Sequence, residues 1–433
     1  MNASSPPSPR AVAVDLLETV LDRKVLLDEA LDRDNRLRIL ADRDRAFVRL
    51  LVATVLRRLG QVDDALGRCL ERALPAKAGR ARTLLRLGAA QLLFLDTPAH
   101  AAISTTVDLA KGTAAAGFAK LINAVLRRLD RDGRAWVPTQ DAARLNTPDW
   151  LWQSWQAAYG DDTARRIALA HLQEAPVDIT VAGDPTLWAE RLEADLLPIG
   201  SLRRRQGGGD VAQWPGFAEG AWWVQDVAAS LPARLIGPVR GKVVADLCAA
   251  PGGKALQLAA AGAQVIAVDR SGRRLRRLSH NLERLKLAAT IVEADAAAWR
   301  PVEPVDAVLL DAPCTATGTL RRHPDGLRLK GPGDVAALAD QQQALLLAAL
   351  AMLKPGGILV YCVCSLEPQE GEGQVERLLA SGAAVARDPI APTELPGLEM
   401  ALTAQGEVRT LPHYLEDQGG MDAFFIARLR RPA

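Results

Sequence analysis

Residues 309–318 read LLDAPCTATG, an apolar run that ends in Asp311, Ala312, Pro313 and Cys314 before small polar residues take over. A second apolar run closes in Tyr361-Cys362-Val363-Cys364-Ser365. A thiol at a strand end is placed to add to an electron-poor carbon, a covalent step that splits one hard reaction into two easier ones. The thiolate is the attacking form, and a free thiol with a pKa of about 8.5 holds only a few per cent of it at neutral pH. Lys254, Arg322 and His323 are the cations whose approach would raise that fraction. Chemistry alone nominates Cys314, Cys362 and Cys364 and leaves the choice among them open.

Strand geometry trims the set. Side chains alternate along a strand, so Cys362 and Cys364 point to one side, with Cys362 one pleat, roughly 6.5 Å, further from the strand end. Cys362 is therefore expected to pack, as free cysteines mostly do. Cys314 and Cys364 stand at the rim.

A second set of residues points to a bound nucleoside. From Lys242 the pattern runs strand, glycine loop, helix, strand. Val243–Leu247 reads as a buried strand, and Cys248-Ala249-Ala250-Pro251-Gly252-Gly253-Lys254 as a loop that opens the helix Ala255–Ala261. Cys248 ends its strand, where packing suits it. The loop is not G-x-G-x-x-G, which argues against a nicotinamide cofactor. Its glycines allow close backbone approach at a helix start, where amides face a ligand. Further strands are expected at 264–268, 290–293, 305–310, 357–363 and 422–429. Asp246, Asp269, Asp295 and Asp311 each fall at or near a strand end. Open α/β sheets bind ligands beyond those ends, and a carboxylate at the second one accepts from both ribose hydroxyls. Asp295 could accept from an exocyclic amine on adenine. Adenine, ribose and a charged amino-acid tail together describe S-adenosylmethionine.

Other elements must position this sheet. Residues 9–130 repeat apolar side chains at three- and four-residue steps, as in RAFVRLLVATVLRRLGQVDDAL, and predict a helical bundle broken at Leu74-Pro75 and Thr97-Pro98. Residues 148–175 predict one or two more helices, with Trp150, Trp152 and Trp155 clustered on the first. VDITVAG then reads as a strand, PTLWAERLEA as a helix, and residues 203–209 as a flexible basic turn, a small α+β piece ending near 235. The expected domains are 1–140, 141–235 and 236–433, the last an α/β Rossmann-like domain.

Composition bounds the partners. The chain has 433 residues and a net charge of +2, but residues 1–140 carry 23 Lys and Arg against 16 Asp and Glu. That basic front half suits contact with phosphates. The five cysteines show no zinc-site spacing, so no metal is expected, and their odd number without a signal-like start suits reduced thiols in a cytoplasm. No apolar run approaches a membrane span.

The residues resemble a known family. Asp246 to Lys254, Asp311-Ala312-Pro313-Cys314 and Cys364-Ser365 resemble the motifs of RNA cytosine-C5 methyltransferases. Gln225 to Ser230, Arg322-His323-Pro324-Asp325 and Gly419 to Phe425 are similar to their flanking motifs. Thr97 to Ile103, Val107 to Lys111 and Ile122 to Arg128 resemble a NusB-type RNA-binding domain. That pairing is the architecture of the bacterial 16S rRNA cytosine-C5 methyltransferases of the RsmB/Sun type. The resemblance implies methyl transfer from S-adenosylmethionine to carbon 5 of cytosine 967 in 16S rRNA. It implies Cys364 as the nucleophile that adds to carbon 6, Cys314 as the thiol that helps release product, and Asp311 at the cytosine N3 edge. It implies cofactor contacts from Cys248, Ala249, Ala250, Pro251, Gly252, Gly253, Lys254, Asp269, Asp295 and Asp311.

The target base must leave its stack, and RNA is read through stacking, 2′-hydroxyls and phosphates. The helical domain, Arg203–Arg205 and the tryptophan cluster are the candidates for that contact, with core packing between domains the stronger expectation for the tryptophans. Two residues depart from the family pattern: Val363 where Thr is usual, and Gly371 where Asn is frequent. Neither removes a thiol or an acid, so tuning is expected rather than loss. The alternatives are a methyltransferase acting on tRNA or another RNA, and a non-catalytic NusB-like RNA-binding factor. No obligatory protein partner is expected.

Overall fold

The computed structural model describes residues 7–205 and 209–433, so the polar start and the middle of the expected basic turn lie outside the described residues. The chain forms two compact units, Met1–Gln173 with Leu320–Lys330, and Glu174–Thr319 with Gly331–Ala433. Among the described residues no helix is long and apolar enough to cross a membrane.

The first unit is helical. Helices Pro9–Leu21, Asp42–Arg57 and Gly79–Phe94 pack through Leu17, Leu51, Val55, Leu84 and Leu87, all buried. Gly88 lets helix Ala119–Arg128 approach, since a Cβ there would lie 2.7 Å from the Leu126 side chain. The two proline breaks fall between helices, as periodicity predicts. The unit extends past residue 140, where the sequence places a boundary. Helices Asp149–Tyr159 and Asp161–Ala170 belong to it, with Trp155 buried against His171 at a ring separation of 5.3 Å.

The stretch Leu320–Lys330 also packs in this unit, although sequence order puts it inside the α/β part. Asp325 Oδ2 accepts from Leu27 N at 2.9 Å, and Arg57 Nη2 donates to the Arg321 carbonyl at 2.8 Å. Buried polar groups need such partners, and here the helical unit supplies them.

The second unit opens with a small antiparallel sheet. Its strands are β1 (Asp178–Val181), β2 (Ala194–Leu196), β3 (Leu202–Arg204) and β4 (Trp222–Val224), in the order β2-β3-β1-β4. Here the basic-turn reading needs correction. Arg203 is in a strand and buried, and its guanidinium clamps the Asp178 carboxylate through bonds of 2.7 and 2.8 Å. Arg204 lies over the Trp214 ring at 4.1 Å and Arg205 pairs with Asp195 at 2.7 Å. The bidentate pair fixes Arg203 inside the unit, while Arg204 is held by its ring contact and Arg205 by a single exposed ion pair.

The main sheet has β5 (Val243–Leu247), β6 (Gln264–Asp269), β7 (Thr290–Glu293), β8 (Val305–Asp311), β9 (Leu353–Val363), β10 (Ala386–Arg387), β11 (Val408–Arg409) and β12 (Phe425–Arg430). The order is β10-β12-β9-β8-β5-β6-β7, with β11 also on β12. Strands β5 to β9 run parallel, and β12 is antiparallel to β9. Their runs of Val, Ile and Leu are near-continuous because both faces are covered. Val360 and Cys362 join the side packed by helices Val227–Leu235, Gly253–Ala260 and Gly272–Leu285. Leu359, Tyr361 and Val363 join the side packed by Pro332–Ala351 and Glu372–Ala380.

His171 generates a stability prediction. Among the described residues neither ring nitrogen has a hydrogen-bond partner, and burial, aided by Arg321, pushes its pKa from 6.5 down to about 3. The folded chain therefore holds it neutral, while the unfolded chain takes up a proton as pH falls through 6.5. Stability is retained above that pH and lost on descent toward pH 3, by about 1.4 kcal/mol per pH unit at most. Urea midpoints of the native protein and His171→Leu, measured from neutral to acid pH, should diverge with that slope. Parallel curves would count against it.

Candidate active site

Strand β5 lies between β6 and β8, so the chain leaves it in opposite directions and opens a crevice at the carboxyl ends. A cleft of about 240 Å³ stands there, lined among others by Cys248, Asp269, Asp295, Asp311, Cys314 and Cys364. Six of the residues singled out from sequence thus meet in one place.

The loop after β5 shapes the cofactor side. Cys248 takes a left-handed conformation with φ 61°, and Gly252 follows with φ 116°. The glycine serves packing as well as turning, since a Cβ at Gly252 would lie 2.3 Å from Leu278 Cδ1. Doubling back, the loop ties itself to β6: Ala249 N donates to the Val268 carbonyl at 3.0 Å, and Ala250 N to Asp269 Oδ2 at 3.2 Å. Ser271 N donates to Asp269 Oδ1 at 2.9 Å, and Arg274 Nη1 stands 3.4 Å from Oδ2. A carboxylate has about four acceptor sites, so Asp269 is fixed in place with capacity left for a ligand. Asp295 is exposed, its Oδ1 taking Ala297 N at 3.0 Å.

Several expected residues do not line the cleft: Asp246, Lys254 and the loop residues Ala249, Ala250, Pro251, Gly252 and Gly253. Asp246 is wholly buried, and among the described residues neither of its carboxylate oxygens has a partner. Burial, then the nearby Asp311 charge, pushes its pKa well up. Lys254 points across the sheet ends, where Nζ donates to Asp311 Oδ2 at 2.7 Å and lies 5.1 Å from the Phe424 ring centroid. Burial, the largest single effect, opposes the Lys254 charge, but Asp311 together with Cys362 and Cys364 outweighs it and holds the ammonium above its ordinary range.

The thiols are closer than sequence could say. Cys314 Sγ and Cys364 Sγ are 3.5 Å apart, both half-buried. The Cys314 thiol is pushed well up, first by its contact with Cys364 and then by burial. Cys362 is fully buried, as expected of a packing thiol, yet its Sγ also meets Asp311 Oδ1 at 3.4 Å. Burial and then Asp311 push it up. Burial does the same to Cys248, to about 12. Of the cations expected near a thiol, Lys254 is beside Asp311, while Arg322 and His323 fall in the stretch packed with the helical unit, His323 Nδ1 3.5 Å from Asp28.

Sequence reading missed Arg270, Arg274 and Gln341, which also line the cleft. The arginines follow directly on the Asp269 strand end, and Gln341 opens a Gln triplet inside an apolar helix. Those were the only signals.

Asp269, Asp295 and Asp311 present carboxylates to the cleft beside Arg270 and Arg274, while burial holds Asp246 toward its neutral form. A ligand with a fixed positive charge and free hydroxyls fits that arrangement, as the sulfonium and ribose of S-adenosylmethionine do.

Comparison with known proteins agrees. Residues 233–430 match the family model described as 16S rRNA methyltransferase RsmB/F, and residues 7–131 match the NusB family. Ribosomal RNA small subunit methyltransferase B of Xylella fastidiosa (strain Temecula1) is 39% identical, covering 98% of this chain and 97% of its own. The probable ribosomal RNA small subunit methyltransferase B of Synechocystis is 34% identical, covering 98% and 99%. The crystal structure of PH0851 shares the fold with a TM-score of 0.74 at 20% identity, covering 97% and 98%. The chain belongs to the ribosomal RNA small subunit methyltransferase B family and is an S-adenosylmethionine-dependent methyltransferase.

Proposed function

We propose that this enzyme methylates carbon 5 of a cytosine in 16S rRNA, the position corresponding to cytosine 967, by way of a covalent bond between Cys364 Sγ and carbon 6. The observation that carries the reading is the 3.5 Å separation of the Cys314 and Cys364 thiols beside Asp311. Two thiols so close can serve the same ring in succession.

Carbon 5 of cytosine is a poor nucleophile until a thiolate adds to carbon 6. The S–C6 bond then forms and the ring electrons move toward N3, leaving carbon 5 enamine-like. Asp311 faces the N3 and amino edge, and Lys254, 2.7 Å away, supplies the proton that lets its carboxyl donate to N3. S-adenosylmethionine supplies the methyl group, and Cys248, Asp269 and Asp295 hold its nucleoside end. The carbon 5 proton then passes to solvent, its bonding pair closes the C5=C6 double bond, the S–C6 bond breaks to return the Cys364 thiolate, and N3 gives back its proton. Cys314, against Cys364, assists that last step. Ala249, Ala250, Pro251, Gly252 and Gly253 build the loop behind the cofactor. The NusB-like unit, with its basic excess, provides further RNA contact. The same reading places the enzyme in the cytoplasm.

A pair of substitutions tests the order of the thiols. With labelled cofactor and 16S rRNA, Cys364→Ser should abolish transfer, and Cys314→Ser should accumulate a protein–RNA adduct that survives denaturing gels. The reverse pattern would overturn the assignment.

Lys254 offers a second test. Lys254→Met should lower single-turnover methylation by about 10²-fold or more, the scale of a lost proton donor. An unchanged rate in a folded variant would remove Lys254 from the proton path.

A further inference from the structure

Glu370 lies outside the cleft, is fully buried, and has no place in the chemistry above. Its carboxylate nevertheless gathers both thiol loops. Oε1 accepts from Thr315 N at 2.9 Å and from Gln342 Nε2 at 3.1 Å. Oε2 accepts from Ser365 Oγ at 2.5 Å and also from Thr315 Oγ1. Thr315 directly follows Cys314, and Ser365 directly follows Cys364. Gln342 donates in addition to the carbonyl of Pro313, on the other side of Cys314, at 2.8 Å. Four neutral donors fill the roughly four lone-pair sites of one carboxylate. The Glu370 backbone is itself held, its carbonyl accepting from Tyr361 Oη at 2.5 Å.

We propose that Glu370 is a positioning residue that clamps the Cys314 loop to the Cys364 loop and so sets the separation of the two thiols. The inference rests on the assignment of Cys364 and Cys314 given above only for its catalytic consequence. The sheet does not need the clamp, because β8 and β9 stay paired from Ala307 opposite Ile358 to Asp311 opposite Cys362. What the clamp governs lies beyond the strands, next to the two thiols, where it adds to the direct links from Gly318 N to the Cys364 carbonyl and from Leu366 N to Thr317 Oγ1, both at 2.9 Å. A buried carboxylate without an ion pair is costly unless every acceptor site is used, so its presence at the junction of two reactive loops calls for such a role.

The test compares Glu370→Ala with Glu370→Gln. The amide keeps an oxygen for Thr315 N and Gln342, and its NH₂ donates to the two hydroxyls once they turn to accept. The first readout is independent of methyl transfer: the rate at which diamide drives a Cys314–Cys364 disulfide, located by peptide mass spectrometry. Diamide takes up the two electrons and two protons released as the Sγ–Sγ bond forms. Glu370→Ala should slow that rate by about tenfold or more, since a 1 Å misplacement can cost more than that. Glu370→Gln should stay within roughly twofold of the native protein, because its hydrogen-bond capacity is nearly conserved. The second readout is partition of the RNA adduct. Glu370→Ala should accumulate adduct at near-native KM, whereas a general folding defect would lower adduct and product together. If Glu370→Ala does not fold, Thr315→Val removes one link to the same carboxylate and should shift both readouts the same way by less. A folded Glu370→Ala that forms the disulfide at the native rate overturns the clamp. A slowed disulfide in Glu370→Ala, beside a Cys364→Ser enzyme that still methylates, leaves the clamp standing and overturns the nucleophile assignment instead.

Discussion

The register of β8 on β9 is the constraint from which the site follows. Asp311 lies opposite Cys362, and the pairing continues past the strands as Ala312 N donates to the Cys362 carbonyl at 3.0 Å. Gly318 N then reaches the Cys364 carbonyl at 2.9 Å. A slip of one residue would turn every side chain to the other face of the sheet. It would carry Cys364 away from Cys314 and break the contact between Cys362 and Asp311. The apolar faces on both sides of the sheet make such a slip expensive, so packing far from the chemistry holds the chemistry in register.

Electrostatics supply the second layer. Among the described residues Asp246 has no hydrogen-bond partner and is held toward its neutral form by burial, while Lys254 pairs with Asp311, which lines the cleft. An ammonium in that position is held charged by its neighbours rather than by water. The same surroundings that would strip a lone lysine of its proton therefore keep this one as a proton donor. Cys362 belongs to this layer as well. It packs, as its depth in the strand predicts, but it also contacts the carboxylate that Lys254 neutralises.

Sequence reading recovered what is local and periodic. The alternation of strand and helix from Val243 onward, the acids at the strand ends and the rim position of Cys314 and Cys364 all follow from short-range pattern, and the structure places them accordingly. What it missed depends on long-range burial. Arg203 reads as part of a solvated basic run and is buried against Asp178, a partner twenty-five residues away. Leu320–Lys330 reads as a loop of the sheet domain and packs with helices hundreds of residues earlier. Asp246 reads like Asp269, yet one reaches the cleft and the other does not. Both acids are buried, but Asp246 pairs in register with Ala267, one pleat further back from the strand ends than Asp269, and only Asp269 lines the cleft. The order in which the thiols act came from family resemblance, since Cys314 and Cys364 are near-equivalent by pattern.

The two departures from the family pattern acquire physical meaning in this setting. Val363 is buried on the face of β9 opposite Cys362, among apolar neighbours, so a methyl group there replaces a hydroxyl in the core and not in the cleft. Gly371 stands against Arg409 and Phe425, and a Cβ at that position would fall 2.4 Å from Arg409 Nη2 and 2.9 Å from the phenyl ring. The space that a larger side chain would take is used by the guanidinium. Arg409 Nη1 donates to the carbonyl of Ser365 at 2.5 Å, while Nε and Nη2 pair with Glu372. Arg409 thereby fixes the backbone of the residue that follows Cys364, from the side opposite its hydroxyl. A side chain at 371 would have to displace that guanidinium, so the absence of a Cβ there leaves Arg409 free to hold the Ser365 backbone, one residue beyond Cys364.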